Sequence, residues 1–347
     1  MKKTKILIVL AISAFILRHS SFAQGPLTPP GAPAPTMKTL AQIEPRTPVA
    51  SAPFIISQPG SYYLTTNLTV SSGNAITIAT NGVRLDLSGF TISSTAASAA
   101  GYGILINSGL MNLTIVNGFI QGGVTNASNG LFAGSGFSYG IEYVGASPVN
   151  VRVSGISVSG CLQDGIAISI DDSTTVDSCT VRTVGGFGIY AAIVEHSFAV
   201  NCGNSAITAD QVSDCYGVCI NSGDGIDVSR TAQNCYGYSY SGGEGVYAAT
   251  ALNCYGQSTT GEGIAGDTAL NCYGISVSGD GCYLAMAQGC YGYAYDSGDG
   301  LFANYSATGC YGFSGSGTGL YAFIANTCHG GTSTGVPLST THNVNSY

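Results

Sequence analysis

Six acidic side chains stand immediately before a glycine: Asp164, Asp224, Glu244, Glu262, Asp280 and Asp299. The last five recur every 18 to 20 residues. Carboxylates stacked at such an interval repel one another unless they are protonated, splayed into water or bridged by a cation. Turn side chains splayed into solvent are the expectation. If a cation does bridge the row, Asp224, Glu244, Glu262, Asp280 and Asp299 are the Ca²⁺ ligands. The nine-residue calcium repeat of other solenoids is absent, so no cofactor is expected. For glycan hydrolysis two positioned carboxylates are required, and Asp171-Asp172 with Asp177 form the one dense acidic cluster. Arg84, Arg152, Arg182 and Arg230 are candidate bases for an elimination, but each reads equally well as an isolated outward charge. His196 and His329 have no carboxylate or serine partner legible nearby in the sequence. No motif here carries catalysis.

Tyrosines and cysteines are the other side chains with a strict spacing. Cys-Tyr-Gly occurs at Cys215, Cys235, Cys254, Cys272, Cys290 and Cys310, followed by Cys328-His329-Gly330. Tyr216, Tyr236, Tyr255, Tyr273, Tyr291 and Tyr311 therefore form a column. If it faces outward it offers a contact surface; the alternative is simple cross-strand stacking. Twelve cysteines in an exported chain would ordinarily suggest disulfides. Equivalent residues on adjacent parallel coils point the same way, however, whereas a disulfide needs converging Cβ atoms. A buried ladder of free thiols is expected instead. No CxxC pairs with a nearby His, which argues against zinc.

The elements that position these residues follow from two more columns. A glycine and an aliphatic-like residue recur at Gly225-Ile226, Gly245-Val246, Gly263-Ile264, Gly281-Cys282, Gly300-Leu301 and Gly319-Leu320. Alanine recurs three residues before each later cysteine. So many glycines exclude an amphipathic helix, and the leucine frame of a leucine-rich repeat is missing. Short alternating strands broken by Ser-Gly, Gly-Asp and Gly-Glu turns remain, one coil per repeat. The fold expected is all-β: a single-domain right-handed parallel β-helix with about 18–20 residues per coil. Asp227 would be costly inside, which places the aliphatic column in the core. By the same parity the cysteines face in and the tyrosines out.

Residues 1–23 read as a signal peptide: Lys2, Lys3 and Lys5, an apolar run from Ile6 to Leu17, then Ser21-Phe22-Ala23. Residues 24–53 read as a proline-rich linker with a short capping helix over Thr36 to Glu44. The solenoid is expected over 54–337, and 338–347 as a polar, frayed tail. Export to the cell surface, periplasm or medium follows, with no transmembrane segment in the mature chain. Only 8% of residues are charged, and no Lys or Arg follows Arg230. A nucleic-acid partner is not expected.

Gly31-Ala32-Pro33-Ala34-Pro35-Thr36-Met37-Lys38-Thr39-Leu40, with Ile43-Glu44-Pro45-Arg46-Thr47-Pro48, resembles the start of a family of secreted bacterial right-handed parallel β-helix proteins. Pro59-Gly60-Ser61-Tyr62-Tyr63-Leu64 and Val83-Arg84-Leu85-Asp86-Leu87-Ser88-Gly89-Phe90 resemble its first coils, and the Asn-Cys-Tyr-Gly repeats its body. The resemblance implies the pectin-lyase-like fold, whose members include polysaccharide lyases and hydrolases. Gly-His-Gly and Arg-x-Lys, the marks of a polygalacturonase-like enzyme, are both missing. A non-catalytic exported solenoid, structural or in contact with polysaccharide, is the expectation. A divergent polysaccharide lyase or glycoside hydrolase is the alternative.

Overall fold

The computed structural model describes residues 44–127, 130–145, 148–170 and 173–347. Alternating inward and outward side chains convert the repeat into a parallel β-solenoid of about 15 turns. The Tyr236–Ser239, Tyr255–Ser258 and Tyr273–Ser276 strands each alternate a half-buried with a buried residue. No helix occurs among the described residues. Each turn contributes to three sheets. The first begins at Phe54–Ile56 and continues through Ile76–Ile78, Tyr102–Ile106, Tyr139–Tyr143 and Ile166–Ser169. The second begins at Thr47–Val49 and runs through Gly60–Leu64 and Val83–Asp86. From Ile207 onward one longer strand per turn supplies both of these sheets. The third holds the Tyr-Gly strands, each paired in register with the next.

The Tyr-Gly sheet keeps a constant register through the C-terminal half, whereas the longer strands shift by one residue at Ala209/Gln211, Val228/Thr231, Leu284/Met286 and Ala303/Ser306. Several turns before Val176 are larger. Leu85 pairs with Ile115, 30 residues on, and Leu113 with Val151, 38 residues on. From Val176, which pairs with Val194, the interval settles at the expected 18 to 20. Much of the excess in the longest turn is an antiparallel hairpin, Gly123–Asn126 against Phe132–Ser135, the one antiparallel pairing among the described residues. Long aliphatics such as Ile56, Leu64, Ile76, Leu85, Ile104 and Leu113 fill the wide end.

Both ends depart from expectation. Pairing starts at Thr47, ahead of Phe54. The tail is not frayed: Val336–Val344 pairs along Thr318–Asn326, and the Tyr347 N–H donates to Cys328 O at 3.0 Å. The previous coil leaves a full row of backbone donors and acceptors, and polar side chains do not prevent the chain from satisfying them. The expected signal peptide, and the expected linker and helix as far as residue 43, lie outside the described residues.

The glycine columns have a steric cause. A Cβ on Gly217, Gly237, Gly256, Gly274, Gly292 or Gly312 would collide with the carbonyl oxygen of Gly225, Gly245, Gly263, Gly281, Gly300 or Gly319 respectively. The coil is pinched there, backbone on backbone, between the third and first sheets. Asn234, Asn253 and Asn271 take the left-handed conformation, at φ 54°, 53° and 53°. Asparagine tolerates this better than most residues, and it turns the chain so that the following cysteine points inward. At the far corner Ser258, Ser276 and Ser314 are fully buried. Each donates its hydroxyl to a carbonyl of the preceding turn at 2.6 Å and accepts an N–H from the glycine three residues on. All twelve cysteines are buried and free. Burial pushes the Cys161, Cys179 and Cys215 thiols up to about 12.

Candidate functional site

The tyrosine column faces outward, half-buried, as parity requires. Tyr216, Tyr236, Tyr255, Tyr273, Tyr291 and Tyr311 stack with centroids 4.6 to 5.2 Å apart and planes within 18° of parallel. Phe198 extends the stack at one end; His329, then Tyr347, extend it at the other. Each ring face is thus covered by a neighbour, leaving ring edges and hydroxyls as the outward chemistry. A sugar cannot lie flat on a face already occupied. The neighbouring column of the same sheet adds Tyr238, Tyr293 and Phe313. Tyr240 and Tyr295 stand over Tyr238 and Tyr293 and are about half exposed.

The acidic row is not splayed into solvent. Asp224, Glu244, Glu262, Asp280 and Asp299 are all half-buried. Asp164, Asp224, Asp280 and Asp299 each accept the backbone N–H of the equivalent residue one turn on, at 2.7 to 2.8 Å. The short aspartate reaches this amide, so its carboxyl turns along the axis instead of outward. Burial, and then the hydrogen bond that the protonated Asp224 carboxyl donates to Glu244, hold Asp224 up at about 8. Burial raises Glu262 as well and takes Asp280 up to about 6. Of the three ways a carboxylate row can persist, the contacts of Asp224 point to a proton held between it and Glu244.

Charge gathers instead on the second sheet. Arg84, Thr114, Arg152 and Thr175 lie side by side on successive turns, with Asp177 in the adjacent column. Arg84, Arg152 and Asp177 line one shallow recess of about 310 Å³. Beside it, His196 Nδ1 lies 2.9 Å from Asp177 Oδ1, and His196 Nε2 lies 4.0 Å from Asp214 Oδ2. The Asp177 hydrogen bond raises the imidazole pKa. Asp177, Glu195 and His196 offer three ligand atoms within 4.8 Å of one another, the one such group among the described residues. It could meet a divalent cation. Sequence reading left His196 without a partner, yet Asp177 precedes it by 19 residues and Asp214 follows by 18. One turn of the solenoid was the signal. Arg182 projects from the third sheet, away from this recess. Asp171 and Asp172 lie outside the described residues. Sequence reading also missed Glu142, which lines a cavity with Tyr102, Tyr139 and Tyr190.

Fold and sites together define a β-solenoid repeat protein with a stacked aromatic face and a separate charged face. No protein-family model, curated protein or solved structure matches the chain.

Proposed function

We propose that the protein is an exported, non-catalytic solenoid that lies along polysaccharide at the cell envelope. In coil sense and descent it would belong with the right-handed pectin-lyase-like proteins that its N-terminal sequence resembles. One observation carries the reading: the unbroken column of six tyrosines with faces closed and hydroxyls outward. Such a column offers a hydrogen-bonding line parallel to the axis, suited to an extended polymer rather than to one small molecule. Regularity supports it too, because active sites usually break the local pattern and this face does not.

A second reading, a polysaccharide lyase or hydrolase, is favoured by the recess where Arg84 and Arg152 meet Asp177. An arginine base beside acidic cation ligands is the chemistry such an elimination needs. The purified chain is tested on pectate, alginate and neutral glycans, with and without Ca²⁺, for both retention and turnover. Retention without turnover, weakened by Tyr255→Ala, is the expected result. Turnover that disappears in Arg152→Ala or Asp177→Ala would replace the first reading with the second.

A further inference from the structure

On the first sheet, Leu105, Glu142, Ala167 and Tyr190 occupy one outward column on successive turns. Ala167 supplies only a methyl group, so a notch opens between Glu142 and Tyr190. Tyr102 and Tyr139 line it as a stacked pair 4.8 Å apart. Tyr143 forms a wall, its hydroxyl donated to Leu110 O at 3.2 Å. The cavity measures about 430 Å³ and no basic side chain lines it. Glu142 Oε2 is buried and meets no hydrogen-bond donor among the described residues. Asp164, on the turn that follows, adds a second negative charge near the first. Its own carboxyl already accepts the Phe187 N–H at 2.7 Å.

A carboxyl oxygen without a donor, set among electron-rich rings, is a setting that lacks positive charge. A small metal ion would want several oxygen ligands, whereas the notch offers one unpartnered oxygen amid four rings. An alkylated ammonium fits better, because ring faces attract a cation and also cover its methyl groups. We propose that this notch binds an organic cation of the alkylammonium class, with Tyr139 and Tyr190 against the head group, Tyr102 backing Tyr139, and Glu142 as counter-charge. The site is separate from the tyrosine column and does not depend on its role.

Burial, reinforced by Asp164, pushes the Glu142 carboxyl up to about 8. A bound cation favours the ionised form, so affinity should rise as pH climbs through about 8. The titratable groups facing Glu142 are Asp164, Tyr102, Tyr139, Tyr143 and Tyr190.

The test is calorimetric titration of the full chain with choline chloride, beside its uncharged isostere dimethylbutanol and sodium chloride. Choline should bind, and dimethylbutanol should bind at least about tenfold more weakly. Glu142→Gln and Tyr190→Ala should each weaken choline about tenfold, whereas Tyr255→Ala leaves it unchanged. Absence of choline binding, equal binding of the neutral isostere, or an affinity in the unsubstituted protein that is flat with pH would each overturn the proposal. The pH and isostere arms need no variant, so a misfolded substitution does not spare it.

Discussion

Asp224 holds a proton in the folded protein that the unfolded chain releases near pH ~4. Its contribution is therefore complete below that value and lost as pH rises through about 8. Asp280 and Glu142 shift in the same direction. Thermal unfolding followed from about pH 4 to about pH 9 should show the melting temperature falling on the alkaline side. Asp224→Asn, which still accepts the Glu244 N–H, should flatten that slope. A melting temperature that rises across the window would contradict the proton held on Asp224. Gly256 tests a different force. Its Cβ would strike the Gly263 carbonyl, so Gly256→Ala should cost about 1–3 kcal/mol in denaturant unfolding. The sequence announced both columns but not both reasons. Glycine after tyrosine is legible as an obligatory small residue. An aspartate before glycine looks like any turn residue, and nothing local reveals that its carboxyl reaches the next coil's amide. His196 and Asp177 were hidden for the same reason, since they become neighbours only through the rise of one turn.

The Tyr-Gly strands show what four residues can do when stacked. Tyr255 touches Tyr236 and Tyr273 at 4.9 and 5.2 Å, so Tyr255→Ala removes two ring contacts together. A loss of about 1–3 kcal/mol should follow in urea unfolding, with near-ultraviolet circular dichroism reporting the broken stack. Phe198→Ala, at the end of the column, removes a single tilted contact and should cost less. On the inner side of the same corner the cysteines are out of reach of water. Native protein should react slowly with a thiol reagent, and denatured, unreduced protein should yield all twelve thiols. Recovery of only a few would mean that bridges form where the strands place the cysteines in parallel. Parity along each strand was enough to foresee which columns face in. It could not foresee that the tyrosine faces close on one another, which depends on ring tilt and coil rise together.

Across the whole molecule, the fold class was legible because one period governs about half of the chain. The wide turns before Val176 were not, because insertions there obscure the period: the 38-residue turn hides a hairpin whose tip meets Asn221, where Gly130 O accepts its side-chain amide at 3.1 Å. The final turn was misread because its residues are polar and its backbone is what joins it. From Val246 to Gln288 the coils pair without a register shift, so one of them can be removed whole. Removal of residues 254–271 would join Asn253 to Cys272, restoring the Asn-Cys-Tyr-Gly junction and every column at once. The shortened chain should unfold cooperatively, and small-angle scattering should find it shorter by about 4.8 Å, one strand spacing. Length in this protein is thus a counted quantity: a lineage could lengthen or shorten its reach in whole steps, by unequal crossing-over between near-identical segments, without redesigning anything it already has.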